Sequence, residues 1–141
     1  MEYNEIDIAE ALRRYLVENG LDNNFPIHIF ELPLDKENCM GIIFAPSPAP
    51  HKTVRVYRQT LEIWLRSSSA KVGKERITKV FNLLHDNTNY TISDFFVHYS
   101  YAESMIEDMG RDENRNILFK ASFDFLYKRV NNNQTLPIIA S

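Results

Sequence analysis

Cys39, four histidines, a group of carboxylates near residue 110 and a set of bases between residues 52 and 79 are the side chains of this 141-residue chain with chemistry to offer. A thiol becomes a nucleophile when a base such as His28 or His51 can take its proton. Cys39 instead opens an apolar run to Ala45, with no glycine-rich elbow or helix start after it. The sequence therefore favours a core thiol, the commonest fate of a free cysteine. A single cysteine also excludes an internal disulfide and a cysteine-cluster zinc site. His28, His51, His85 and His98 show no helical pairing, and His98 reads as a packed or edge strand residue. Glu103, Glu107, Asp108, Asp112 and Glu113 would suit a divalent cation only at fixed alternating positions about a glycine turn. Met105, Ile106 and Met109 interrupt them and Arg111 opposes them, so a solvated loop is the simpler reading. There is no P-loop, GxGxxG, HExxH or GxSxG motif. These residues predict no enzyme, no cofactor and no metal.

The bases carry a stronger signal. A formal net charge of −3 divides into −6 over residues 1–51, +6 over residues 52–79 and −3 over residues 80–141. Arg55, Arg58 and Arg66 fall on an expected strand, while Lys71, Lys74, Arg76 and Lys79 fall on an expected helix. At 100° per residue those four helix positions cover about 200°, centred opposite Ile77, Val80, Phe81 and Leu84. Three readings stand: an ordinary solvated face, a phosphate-contacting surface, or one half of a self-association. Acidic and basic regions on one chain can meet head to tail, and such contacts close into a ring when the rotation allows. A protein that wraps nucleic acid is usually basic throughout, and this chain is basic only in its middle.

The elements that must position these groups follow from periodicity. Asn4 is a candidate N-cap for a helix over about 5–19, with Ile6, Ala9, Leu12 and Leu16 on one stripe and Gly20 as its stop. Strands follow at Ile27 to Leu32, Cys39 to Ala45 and Val54 to Arg66, the last two joined through a loop stiffened by Pro46, Pro48 and Pro50. Ser67 to Ser69 offer caps for a second helix, which Asn87-Thr88-Asn89 ends. Phe95 to Tyr101 and Phe119 to Tyr127 then alternate as hairpin arms about Gly110 to Asn114. The expectation is a single α+β domain over 1–130, with two helices packed on one face of a mainly antiparallel or mixed sheet of about five strands. Residues 131–141 read as a C-terminal tail. With 44% apolar and 25% charged residues, the composition is that of one globular domain. An acidic start and no apolar run near the ~20 residues of a membrane span predict a soluble product of the reducing cytoplasm, with no membrane partner.

Several segments occur in a familiar order. Asp7-Ile8-Ala9-Glu10-Ala11-Leu12 precedes the strand Ile27 to Leu32, and Cys39-Met40-Gly41-Ile42-Ile43 precedes the proline-rich loop. Val54 to Leu65, a helix ending Val80-Phe81-Asn82-Leu83-Leu84-His85, and Gly110-Arg111-Asp112-Glu113-Asn114 before Phe119 to Tyr127 complete the set. Over about residues 5–129 the chain resembles the tail terminator, or minor capsid, family of long-tailed, siphovirus-type bacteriophages. The resemblance implies a structural virion protein that assembles in the host cytoplasm as a ring of copies of itself, hexameric by family habit, at the head-proximal end of the tail tube. Its implied partners are the tail tube protein, a head-completion or connector protein, and genomic DNA passing through the lumen without sequence-specific binding. No catalytic residues come with the family. Arg55, Arg58 and Arg66, together with Pro46, Pro48 and Pro50, are the candidate subunit-interface residues. A head-completion protein of the neck is the neighbouring alternative, and a nucleic-acid-binding module using residues 52–79 is the alternative of another class.

Overall fold

A computed structural model describes residues 5–45 and 56–130. Asn4, Pro46, Pro48, Pro50, Arg55 and the segment 131–141 lie outside them. Helix α1 (Glu5–Glu18) buries Ile8, Ala9, Ala11, Leu12 and Leu16. It stops where Gly20 adopts φ 74°. There the Leu21 amide donates to the Leu16 carbonyl at 3.0 Å and the Gly20 amide to the Val17 carbonyl at 2.9 Å, the paired bonds of a Schellman ending. Helix α2 (Ala70–Leu84) starts at Ser69, whose hydroxyl accepts from the Val72 amide, and it buries Gly73, Ile77, Val80 and Leu84. Its Phe81 is half-buried against the same core.

Seven strands form one mixed sheet: β1 (Ile27–Ile29), β2 (Cys39–Phe44), β3 (Val56–Ser67), β4 (Asn87–Ile92), β5 (Phe95–Ala102), β6 (Glu107–Arg111) and β7 (Ile117–Arg129). Their order is β1-β2-β3-β7-β5-β4, with β6 also pairing β7. Only β1 and β2 run parallel; the other pairings are antiparallel. Strand β7 is the spine, since β3 pairs one side along its length while β5 and β6 share the other.

Alternation along β7 decides which face is dry. Ile117, Phe119, Ala121, Phe123, Phe125 and Tyr127 are buried, and across the ladder they meet Leu61, Ile63 and Leu65 of β3. Both helices lie on this face. Gly73 of α2 is pressed against Ser67 and the Phe119 ring, and Glu5 of α1 accepts a hydrogen bond from Gln59. Among the described residues no helix covers the other face.

The α+β domain with two helices on one sheet face is as the sequence predicts, but there are seven strands rather than about five. The added ones are β4 and β6. Asn87-Thr88-Asn89, expected to end α2, instead opens β4, because His85 already caps the helix and Asp86 turns the chain at φ 54°. Strand β6 is exposed along its length, so apolar alternation never marked it. The expected strand to Leu32 stops at Ile29, since Phe30 leaves the ladder at φ 62°.

Candidate functional site

The helix-free face is built by the other phase of the same strands. From β3 it takes Arg58, Thr60, Glu62, Trp64 and Arg66, and from β7 the partners Leu126, Asp124, Ser122, Lys120 and Leu118. Tyr99 and Tyr101 of β5 stand opposite Leu126 and Asp124. A carboxylate without a helix over it is nevertheless only 5% exposed at Asp124, because its neighbours close over it. Arg58 Nε donates to Oδ1 at 3.1 Å and Nη2 to Oδ2 at 2.8 Å. The Tyr101 and Tyr99 hydroxyls donate to the same Oδ2 at 2.9 and 3.4 Å. The two tyrosine rings stack with centroids 5.0 Å apart.

This network sets the local protonation states. Burial alone would push the Asp124 carboxyl up, but the hydrogen bonds from Arg58 and Tyr101 and the Arg58 charge hold it below the usual carboxylate range. Its acceptance of the Tyr101 proton and its charge push that phenol up. Burial, then the Asp124 charge, does the same for Tyr99. Arg58 is a bidentate partner of Asp124, although its side chain is 68% exposed.

A second cluster lies toward the start of β7. Lys120 Nζ sits 5.4 Å from the centre of the half-buried Trp64 ring and 3.7 Å from Glu107 Oε1. The Trp64 indole N–H donates to Glu62 at 3.0 Å. Beyond it, Arg66 is 4% exposed. Its Nη1 donates to the carbonyls of Pro33 and Lys36, and its Nε lies 3.0 Å from Asp112 Oδ2, an ion pair out of line for a hydrogen bond. Asp112 Oδ1 meanwhile accepts from the Asn114 and Asn116 amides, both at 2.9 Å. One guanidinium thus ties the β1–β2 connection to the turn before β7. That connection, residues 30–38, holds no helix and crosses directly over β2. A Cβ on Gly41 would lie 2.4 Å from the Glu31 carbonyl oxygen, which is why glycine stands there.

Of the sequence-predicted interface residues within the described part, Arg58 is on the open face and Arg66 is inside the chain with no guanidinium surface for a neighbour. The two are not brought together: Thr60, Glu62 and Trp64 stand between them on β3. Cys39 is fully buried, near the Lys36 carbonyl and Arg66. Burial pushes its thiol up, against the opposing pull of Arg66. The His98 and Phe96 rings meet nearly perpendicular with centroids 4.9 Å apart, and His85 Nδ1 accepts from the Ala102 amide at 2.9 Å. Among the described residues no three His, Cys, Asp or Glu side chains converge as metal ligands would. Sequence reasoning missed Asp124, Tyr101 and Lys120. The available signal was charge inside an aromatic strand: Asp124 lies between Phe123 and Phe125, and a carboxylate there must find a cation.

Comparison with curated proteins returns no match. A family model described as "Bacteriophage tail terminator protein" matches residues 18–129.

Proposed function

The chain belongs to the bacteriophage tail terminator family, and from that premise we propose that it forms a ring, hexameric in subunit number, at the head-proximal end of the tail tube. There it ends tube polymerisation and presents the joining surface to the head. Membership implies a virion tail component; the ring, its assembly in the host cytoplasm, its contacts with tube and head-completion proteins, and the passage of DNA through its lumen are our reading. The match itself carries it, running from the last residue of α1 to the last of β7. The shape of the domain supports it. A closed head-to-tail ring needs two different surfaces on each subunit, and here a helical layer lies on one side and an open sheet on the other. The nucleic-acid alternative gains less, since Arg58, Arg66 and Arg76 of the basic segment are held by acceptors of the chain itself.

Imaging tail tubes polymerised with and without this protein tests the proposal. Tubes of defined length with extra density at one end are the expected result. Uncapped tubes that keep growing in its presence would overturn it, and density confined to the head connector would favour the head-completion role.

A further inference from the structure

The open sheet face and the outer ridge of α2 differ in what they leave unpaired. Among the described residues, the strand cations of the open face are engaged: Arg58 by Asp124, Lys120 by Trp64 and Glu107, Lys128 by the Phe96 ring. Several exposed carboxylates at its border find no cation among the described residues, although Glu103 accepts a hydrogen bond from the Thr60 hydroxyl at 3.4 Å. Among the described residues, exposed Glu31, Asp35 and Glu37 on the β1–β2 connection and exposed Glu103 before β6 form no ion pair, and the connection carries one base, Lys36. The same two segments display apolar side chains to solvent, Leu34 at 87% and Met105 at 76% exposure. Arg66 fixes the first of these segments against the sheet, so its groups are held in place before any partner arrives.

On the opposite side of the domain, α2 shows the complement. Lys71 and Lys79 are exposed and form no ion pair among the described residues, Lys74 Nζ lies 5.6 Å from the centre of the Phe119 ring, and Val72 is 48% exposed. Glu75 is the single acid on that ridge. Lys71 and Lys79 are ~12 Å apart along the helix axis. The β1–β2 connection over β2 and the β6 edge are three strand spacings apart, or ~14 Å. Charge, apolar content and span all correspond.

We propose that a second copy of this chain seats the outer ridge of its α2, through Lys71, Val72, Lys74 and Lys79, on the Arg66 end of the open sheet face, flanked by Leu34 and Met105. The contact is heterologous, because the two surfaces lie on opposite sides of one domain, so it propagates from subunit to subunit as a ring requires. It rests on the ring reading above, and it moves the basic partner from β3 to α2.

Two exposed pairs of substitutions test it by native mass spectrometry and light scattering on the full chain. Lys71→Glu with Lys79→Glu makes the ridge acidic; Glu37→Lys with Glu103→Lys makes the sheet face basic. Each variant alone should need at least about tenfold more protein to assemble, as like charges face each other, with an unchanged thermal melt. An equimolar mixture should assemble again, with the two chains alternating around the ring. Wild-type-like assembly of both variants, or folded variants that do not recover on mixing, overturns the contact while leaving the ring reading intact. A wild-type chain that stays monomeric both alone and on tube ends overturns the ring reading and the contact with it.

Discussion

Along β7 the covered face holds Phe119, Phe123, Phe125 and Tyr127, none more than 4% exposed, while one residue out of phase the open face holds Lys120, Ser122, Asp124 and Lys128. The two faces share a backbone and a ladder but are stabilised differently. On the covered face, stability comes from apolar area removed from water, which needs only volume and shape. On the open face, Ser122 and Asp124 are also buried, yet with no helix above them; Asp124 is shielded by a guanidinium and two phenols that it orders in turn. The lesson is that the second face is organised without being hydrophobic, and keeps half-buried aromatic surface available.

The largest test of that contrast compares Phe123 with Leu126. Phe123 is fully buried, so Phe123→Ala should cost about 3–5 kcal/mol through lost transfer energy and a residual cavity. Leu126 is half-buried on the open face, and Leu126→Ala should cost about 1 kcal/mol. Urea unfolding midpoints at unchanged m-value measure both; equal costs would mean that the open face is as tightly packed as the core.

Next in size is Arg66, the one buried cation of the open face among the described residues. Arg66→Met leaves the Pro33 and Lys36 carbonyls without this donor and Asp112 without its cation, and should cost about 2–3 kcal/mol. Because the lost bonds hold the β1–β2 connection, amide exchange should speed up at residues 34–38 more than in α1. Gly41→Ala should cost about 1–3 kcal/mol by overpacking against a backbone carbonyl that cannot swing aside. It should loosen the same connection from the other side, and a neutral effect in unfolding experiments would show that the crossing is slack.

The same contrast explains what was legible in the sequence. The covered face could be read in advance because its signal is periodicity: Leu61, Ile63 and Leu65, Phe119 to Tyr127, and the stripes of both helices repeat an apolar choice that packing enforces, except at Ile6, expected on the first stripe but 56% exposed. The open face is written in single polar residues whose partners lie far along the chain, such as Arg58 with Asp124 or Arg66 with Asp112. No spacing announces those pairs. Arg66 looked like a surface base because nothing local shows that residues 33–36 fold across it. Strand β6 lacked a pattern for the related reason that an edge exposed on both faces has nothing to alternate against. The family resemblance was legible where the physics was not, since it rests on the order of segments, and the match over residues 18–129 bears out the tail terminator part of it.

The smallest effect concerns Asp124, where the two faces can be separated by titration. Its carboxyl is harder to protonate in the folded chain than the ordinary value of 3.8. The stability it contributes is therefore complete above that pH and is lost as pH falls through the lower, folded-state value. Asp124→Asn should remove this part of the acid sensitivity, so the variant's unfolding free energy should fall less steeply below pH 4 than the wild type's. The same substitution separates the tyrosines. Tyr101 is raised first by its hydrogen bond to Asp124, whereas Tyr90, on the covered side, is pushed up to about 12 first by burial. Ultraviolet titration of Asp124→Asn should bring the Tyr101 transition back toward the ordinary phenol range and leave that of Tyr90 in place. If both moved together, the network on the open face would not be local to it, and the two sides of the sheet would be electrostatically one.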